Sequence, residues 1–348
     1  MEFPPPPGAP MSPIEALRRV CVLLERGRES SYRIDAFRAA IEAITLIPDD
    51  ELRDRSEQGT LKQIKGIGDS SAAIIGQAVR GLVPAYLASA EEKHGAPLVR
   101  GGEDLYAAVI GDLHVHSNWS DGGSPIEEMV LTAVQLGQQW MALTDHSPRL
   151  TVANGLSRER LVEQLGRVEA INSSLGDAFT LLKGIEVDIH LDGTLDQDDD
   201  LLDRLDIVTA SIHSKLRQPA FEMTPRMLAA VRNPHTNVLG HCTGQLVTGG
   251  RGKRPPSQFD AEKVFRACLE HDVAVEINSR PERCDPPDEL IELARDLGCL
   301  FAIDSDAHAP GQLDMKAYGC ERAERLEISP ERIVTTWPVD AVRDWAGA

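Results

Sequence analysis

Apolar residues recur with helical spacing through the first quarter of the chain. Ser12 fits an N-cap, with Pro13 at the first helical position and Glu15 at the third, and the apolar positions that follow lie on one helix face. Four or five helices are predicted, among them one that begins behind Ser12, one at 31–46, one after Pro48 and one at about 70–80. Residues 12–90 should therefore form a small all-α domain.

Beyond this region, short apolar runs rich in β-branched residues alternate with amphipathic helical stretches. Such alternation indicates βα units around a parallel sheet. Seven units favour a barrel-like fold, and a doubly wound sheet stays as the alternative, although no glycine fingerprint follows the first strand. The predicted strands are 107–113, 140–144, 180–187, 206–212, 237–240, 273–277 and 299–303.

Two polar stretches complete the predicted organisation. Residues 1–11 are rich in proline, which cannot start a regular helix there, so we expect a disordered tail. The stretch 91–108 begins with polar and glycine residues and reads as a linker. The α/β domain then occupies 109–348.

Composition narrows the class of protein. The chain has 348 residues, 42% of them apolar, and a net charge of −19, which excludes a generally basic nucleic-acid coat or a polybasic membrane-surface protein. No apolar run approaches the ~18 residues of a membrane span, and the amino terminus lacks a signal-peptide pattern. The six cysteines show no C-x-x-C pair. We expect a cytoplasmic protein with free thiols and no membrane partner, and the oligomeric state stays open.

Residue types that bind metals fall at the carboxyl ends of the predicted strands, where parallel barrels place their active sites. His114 and His116 are two positions apart, as are Asp306 and His308, so each pair points to one side of an extended chain. Nine such side chains in one place would be costly without cations. We call them the strand-end cluster: His114, His116, Asp121, His146, Glu186, His213, His241, Asp306 and His308.

The donor set of this cluster predicts its chemistry. Nine ligands exceed the needs of one tetrahedral zinc ion and suffice for two or three divalent ions that share a carboxylate. Mixed imidazole and carboxylate ligands suit zinc, manganese or iron rather than calcium. Clustered ions lower the pKa of a bound water and hold phosphate oxygens, which predicts a hydrolase that acts on phosphoesters.

Four residues near the cluster are further candidates. Asp145 and Asp304 adjoin predicted ligands and could orient imidazoles, with ordinary solvation at a strand end as the alternative. Lys215 and Arg254 are predicted to contact substrate phosphate. Arg254 belongs to a basic loop that also contains Arg251 and Lys253, for which a solvated loop is the simpler reading.

The motifs that carry these residues resemble, in order, those of the polymerase and histidinol phosphatase (PHP) family. They include Asp-Leu-His-Val-His-Ser at 112–117, Thr-Asp-His-Ser at 144–147, Ser-Ile-His-Ser at 211–214, Gly-His-Cys-Thr-Gly at 240–244 and Ser-Asp-Ala-His at 305–308. The similarity extends over about 109–348 and is strongest to the PHP domain of bacterial family X DNA polymerases. It implies a distorted (β/α)₇ barrel.

The resemblance also implies how the ligands divide among three ions. The first ion would bind His114, His116, Glu186 and Asp306. The second would share Glu186 with His213 and His241. The third would bind Asp121, His146 and His308.

Residues 12–90 resemble the amino-terminal helical domain of the same polymerases. The evidence is the stretch 31–40 and the helix-hairpin-helix signature Ile-Lys-Gly-Ile-Gly at 64–68. This likeness implies that the amides of Gly66, Ile67 and Gly68 contact a nucleic-acid phosphate. Ile74 stands where related polymerases have a Schiff-base lysine, so we expect no deoxyribose-phosphate lyase activity. About twenty residues separate the two domains, far too few for a polymerase palm.

Three functions follow from these observations. We favour a metal-dependent phosphoesterase on nucleic acid, DNA rather than RNA, that acts as a 3′-5′ exonuclease or 3′-end processing enzyme in DNA repair. The alternative is a small-molecule phosphatase for histidinol phosphate or a nucleoside bisphosphate. The third is a non-enzymatic DNA-binding adaptor, which the complete set of nine ligands opposes.

Overall fold

The computed structural model describes residues 9–249 and 252–347, so residues 1–8 of the predicted tail, as well as Arg251, lie outside the described residues. The chain divides into two compact units. The helical unit runs to Pro97 and includes Pro310–Gln312, whereas the α/β unit comprises Leu98–Ala309 and Leu313–Ala348. Each unit has its own hydrophobic core. No described helix has the length and apolar character needed to cross a bilayer.

The described part of the helical unit contains five α-helices, and the predicted helical region is confirmed. Helix α1 begins as predicted, because Ser12 Oγ accepts from the Glu15 amide while the Glu15 carboxylate accepts from the Ser12 amide. All five helices bury apolar side chains in one core. Their bounds are α1 Pro13–Arg26, α2 Ser31–Ile44, α3 Asp49–Glu57, α4 Asp69–Ala78 and α5 Ala85–His94.

The glycine turn before α4 has a tight geometry. Gly66 has φ 97°, and a Cβ there would lie 3.2 Å from the Ala39 carbonyl oxygen, so only glycine fits without strain. The Gly68 amide donates to Ser71 Oγ at 2.9 Å, and the Ile67 amide donates to the Ile64 carbonyl. Two of the three amides predicted to meet a phosphate thus have internal partners. The helix-hairpin-helix assignment stays a prediction.

The α/β unit is built on a parallel sheet with six strands in the described residues. Neighbouring strands follow chain order, and together they form a half-barrel whose strands are buried on both faces. The strands are β1 Trp140–Leu143, β2 Thr180–Asp188, β3 Ile207–Ser211, β4 Val238–Leu239, β5 Ala274–Asn278 and β6 Phe301–Asp304. The helices are α6 Glu103–Ala108, α7 Ile126–Gln135, α8 Arg158–Leu175, α9 Asp199–Leu202, α10 Ala220–Val231, α11 Ala261–Glu270, α12 Asp288–Leu297, α13 Lys316–Arg325 and α14 Val339–Ala346.

The first predicted strand, 107–113, is wrong. Its beginning belongs to α6. The segment 110–116 that follows lies between the two edge strands, β1 and β6, but does not form a regular strand. Val115 makes single parallel bridges to Leu143 and Ala307. The Leu113 amide donates to the Asp304 side chain, so a carboxylate interrupts the backbone ladder. The seven-stranded barrel therefore stays a prediction.

The predicted linker is also partly helical. Residues 91–94 form the last turn of α5, and residues 103–108 form α6. The six cysteines are free thiols in the described structure.

Candidate metal centre

The structure brings all nine side chains of the strand-end cluster together. His114 and His116 lie on the segment 110–116, and Asp121 lies on the turn after it. Glu186 lies near the end of β2, and the remaining histidines and Asp306 follow β1, β3, β4 and β6. Six of the nine are buried, namely His114, His116, His146, Glu186, His241 and Asp306. His213 and His308 are partly buried, and Asp121 is exposed.

Glu186, at the buried end of β2, lies at the centre of the imidazoles. Its Oε1 is 3.0 Å from His241 Nε2 and 3.3 Å from the Nε2 atoms of His114 and His213. Its Oε2 is 2.7 Å from His146 Nδ1 and 3.7 Å from His116 Nε2. Burial alone would raise the pKa of Glu186, but the imidazoles of His114 and His213 hold that pKa well below its usual range. This lowered pKa favours the ionised carboxylate, the form in which Glu186 could bind a metal ion.

Asp121 organises a second group at the more open side. Its Oδ1 lies 3.3 Å from His308 Nε2 and 3.4 Å from His146 Nε2. The ligand atoms of these three residues and of His116 all lie within 4.8 Å of one another. Two further groups share this spacing, one of His114, His116 and Glu186 and one of His146, Glu186 and His213. The predicted division of ligands among ions stays a prediction.

Several buried nitrogen and oxygen atoms of the cluster have no hydrogen-bond partner among the described residues. They are Nε2 of His114, both ring nitrogens of His116, Nδ1 of His146, His213 and His241, and both carboxylate oxygens of Glu186. Buried polar atoms without partners cost free energy, and divalent cations would satisfy lone pairs of this kind. The donor set of imidazoles and carboxylates fits zinc, manganese or iron. The residues present therefore fit a centre of more than one ion.

The sequence of this chain is similar to the sequences of known proteins. Residues 112–280 match the sequence profile of the PHP domain. This chain contains a PHP domain. It is 40% identical over 217 residues to the DNA polymerase/3′-5′ exonuclease PolX of Bacillus subtilis, a match that covers 62% of this chain and 37% of that protein. The chain thus spans well under half of that relative, and the described units include no polymerase palm.

Two further similarities concern phosphatases. A protein of Aliivibrio fischeri named "Probable phosphatase" is 27% identical over 249 residues, with 66% of this chain and 90% of that protein covered. The solved structure of histidinol phosphate phosphatase from Lactococcus lactis, in complex with zinc, L-histidinol and phosphate, is 18% identical with a TM-score of 0.47. It covers 63% of this chain and 92% of that chain.

Within the PHP domain, Asp145 contacts serines rather than an imidazole. Its carboxylate accepts from the amide and hydroxyl of Ser117, from the amide and hydroxyl of Ser120 and from Gln164 Nε2. Burial raises the pKa of Asp145, and these hydrogen bonds oppose the rise. Asp145 therefore fixes the turn that carries Asp121, and the prediction that it orients an imidazole is wrong.

Asp304 also has a backbone partner. Its Oδ1 accepts from the Leu113 amide at 2.8 Å, and it is fully buried. Burial and the neighbouring Asp112 carboxylate raise the pKa of Asp304 well above its usual range. Asp304 thus joins β6 to the segment that carries His114, and its predicted contact with an imidazole is replaced by this backbone hydrogen bond.

Lys215 and Arg254, the two residues predicted to contact substrate phosphate, differ in exposure and in hydrogen bonding. Lys215 is exposed, with φ 56°, two residues beyond His213. Arg254 is partly buried, and its Nε donates to the Gly244 carbonyl at 2.5 Å, which holds the side chain against the loop that follows His241. Their contact with substrate phosphate stays a prediction.

Two arginines at the site escaped the sequence analysis. Arg283 Nε lies 3.1 Å from Asp306 Oδ2, and Arg280 Nη1 lies 3.1 Å from His308 Nδ1. Burial alone would lower the pKa of Arg280, but Asp306 and Glu282 raise it. Both follow β5, and the signal in the sequence was a pair of cations three positions apart after a predicted strand end. They bring positive charge to the carboxylate side of the centre.

Carboxylates behind the ligands were also missed. Asp188 Oδ1 accepts from the His213 amide at 3.0 Å and lies 3.5 Å from its Nδ1. Glu276 accepts from His114 Nδ1 at 2.5 Å. The available signal was a glutamate between Val275 and Ile277, inside an apolar strand that has no reason of its own to bury a charge.

Proposed function

We propose that this PHP-domain phosphoesterase acts on nucleic acid, DNA in preference to RNA, as a 3′-5′ exonuclease or 3′-end processing enzyme in DNA repair. The observation that carries the hydrolytic part is the buried Glu186 carboxylate among five imidazoles, with buried polar atoms that divalent cations would satisfy. The similarity to a polymerase that is also named a 3′-5′ exonuclease supports the choice of nucleic acid.

The chain's own residues have separate tasks in this reaction. Two or three bound divalent ions would activate water and neutralise phosphate oxygens. The strand-end cluster would hold these ions, with Glu186 between them. Asp121 stays ionised at the exposed edge, because the His308 imidazole outweighs burial and lowers the pKa of Asp121. The guanidinium groups of Arg280 and Arg283 offset the charge of Asp306 and favour an anionic substrate beside it.

The helical unit supplies the proposed contact with a nucleic-acid backbone. The amino terminus of α4 follows the exposed residues Lys65 and Gly68, and free amides at a helix start attract phosphate. The ion pair of Lys62 and Asp69, 2.5 Å apart, cancels one positive charge there. We therefore expect few phosphate contacts and a shallow salt dependence of DNA binding.

Product analysis by mass spectrometry tests the proposal. Purified protein with Mn²⁺ is given single-stranded, nicked and 3′-phosphorylated oligonucleotides, and histidinol phosphate in parallel. We expect stepwise shortening from the 3′ end or removal of the 3′-phosphate. Intact oligonucleotides beside rapid hydrolysis of histidinol phosphate would overturn the nucleic-acid assignment.

Variants separate the two parts of the proposal. The double variant His114→Ala, Asp306→Ala should lose hydrolysis, and an unchanged rate would place the activity elsewhere. Lys65→Glu should weaken cleavage of oligonucleotides but leave a small chromogenic phosphoester unaffected. Arg80→Glu, an exposed charge reversal just beyond the other end of α4, is the matched control.

A small-molecule phosphatase is the second candidate. The supporting observation is the share of each relative that the match covers. The match covers 90% of the Aliivibrio phosphatase but only 37% of PolX. The net charge of −19 also suits a substrate smaller than DNA. Equal effects of Lys65→Glu and Arg80→Glu on every substrate would favour this alternative.

A further inference from the structure

Strand β5 supplies none of the nine side chains of the strand-end cluster, yet two polar side chains on it are fully buried. Glu276 is 0% exposed and Asn278 is 1% exposed. They stand two positions apart on one strand, so their side chains point to the same face. The residues between and before them, Ile277 and Val275, belong to the hydrophobic core. A charge buried in such a strand requires partners.

The partners of Glu276 are two histidines of the cluster. His114 Nδ1 donates to Glu276 Oε1 at 2.5 Å, and the backbone amide of His241 donates to Oε2. Asn278 Nδ2 donates both to Glu276 Oε2 at 3.2 Å and to Asp306 Oδ2 at 3.1 Å. One carboxylate and one amide thus hold groups on three other segments of the chain.

These contacts decide which nitrogen of His114 is available. A carboxylate oxygen accepts from an N–H group, so the nitrogen of His114 that carries a proton toward Glu276 is Nδ1. Nε2 is then the nitrogen that is left for a metal ion, and it faces the centre, 3.3 Å from Glu186 Oε1. The same carboxylate fixes the backbone of His241, whose Nε2 lies 3.0 Å from that oxygen. Two imidazoles are therefore aimed at Glu186 from one support.

We propose that Glu276, together with Asn278, is the positioning pair of the metal centre: it sets the tautomer of His114 and holds His241 and Asp306 in place for binding. This inference rests on the proposed function, because it takes the strand-end cluster to be a metal site. Both side chains are almost completely buried, so we assign them a supporting role and no contact with substrate. Carboxylates that support a ligating histidine in this way raise metal affinity about 10–100-fold.

Glutamine cannot replace Glu276, although it has the same shape. It offers one acceptor oxygen, whereas His114 and His241 each present a donor. If the oxygen faces His114, the amide group opposes the His241 N–H. If the oxygen faces His241, the amide donates to His114 Nδ1, and the His114 proton moves to Nε2, where it blocks the lone pair.

Zinc affinity is the first measurement, made by competition with a chromophoric chelator on the full-length protein. Glu276→Gln should bind zinc about 10–100-fold more weakly than the natural protein. Glu25→Gln is the matched control: Glu25 is also buried, but its carboxylate pairs with Arg38 in the helical unit. Its zinc affinity should stay within about twofold.

The second measurement is the tautomer of His114, read from ¹⁵N chemical shifts of the histidine-labelled, zinc-bound protein. We expect Nδ1–H in the natural protein and a change in Glu276→Gln. If Glu276→Gln fails to fold by circular dichroism, Asn278→Asp replaces it. That change removes the donor to Asp306 and should weaken zinc binding about tenfold.

The outcomes are distinguishable. Unchanged zinc affinity and an unchanged tautomer in Glu276→Gln, or unchanged affinity in Asn278→Asp, would overturn the positioning role and leave the phosphoesterase proposal intact. Weaker zinc binding in these variants of a protein that hydrolyses no phosphoester would overturn the proposed function and leave the positioning role standing. A natural protein that binds no zinc, manganese or iron would overturn both.

Discussion

Glu186 Oε1 lies 3.0 Å from Nε2 of His241, although Glu186 belongs to β2 and His241 follows β4, and β3 separates these two strands. Strand β4 has only two residues, and a turn that contains His241 begins directly after it. Glu186 is thereby surrounded by imidazoles that follow β1, β3 and β4 and by those of the segment 110–116.

The substitution Glu186→Gln should abolish high-affinity metal binding. It removes the one negative charge that faces five imidazoles and leaves an amide whose N–H group opposes ligand nitrogens. We expect zinc affinity to fall by more than about 100-fold. This loss is larger than that expected when a residue that only supports a metal ligand is removed. Competition titration measures it. Glu169→Gln, which removes a mostly exposed carboxylate paired with Lys183, should have no effect.

Removal of metal should destabilise the α/β unit. A ligand that binds only the folded state stabilises it by about 2.7 kcal/mol at a concentration 100 times its Kd. For a unit of this size, that amounts to a fall in Tm of about 5–10 °C when a chelator is added. Differential scanning calorimetry with and without chelator measures the change. The double variant His114→Ala, Asp306→Ala should show almost no chelator effect, and a shift of the same size there would contradict the site.

Metal affinity should rise with pH up to about 9. Burial alone would lower the pKa of His213, but the carboxylates of Glu186 and Asp188 raise it to about 9 in the metal-free protein. Below that pH, a proton occupies the nitrogen that the metal needs, so binding must release it. Calorimetry in buffers of different ionisation enthalpy counts the protons released. A zinc affinity that is constant between pH 6 and 9 would contradict this assignment.

The substitution Asp145→Asn should destabilise the protein by about 2 kcal/mol, because an amide cannot accept from all of the Ser117, Ser120 and Gln164 donors. Urea unfolding followed by tryptophan fluorescence measures the change. Asp177→Asn, at an exposed position, should be neutral. Equal stability of both variants would mean that Asp145 does not hold the turn before Asp121.

Sequence periodicity alone determined four of the five described helices of the first unit and the positions of all six described strands. It also determined that nine metal-binding side chains would approach one another, because the ends of parallel strands share one edge and residues two apart share one side. These inferences need only local spacing and the rule for parallel sheets. The failure at 107–113 has a local cause as well, since the amide of Leu113 pairs with a side chain instead of a strand.

Tertiary structure decided which polar residue supports which ligand. Glu276 and His114 are 162 positions apart, and the contact between them depends on how β5 faces the segment 110–116. Arg280 reaches His308 only because the loop after β5 turns toward the end of β6. Asp145 resembled a partner of histidine in the sequence, but the turn at 117–120 folds over it and takes its hydrogen bonds. Hydrogen bonds act over about 3 Å, so they depend on side-chain positions that spacing along the chain does not specify.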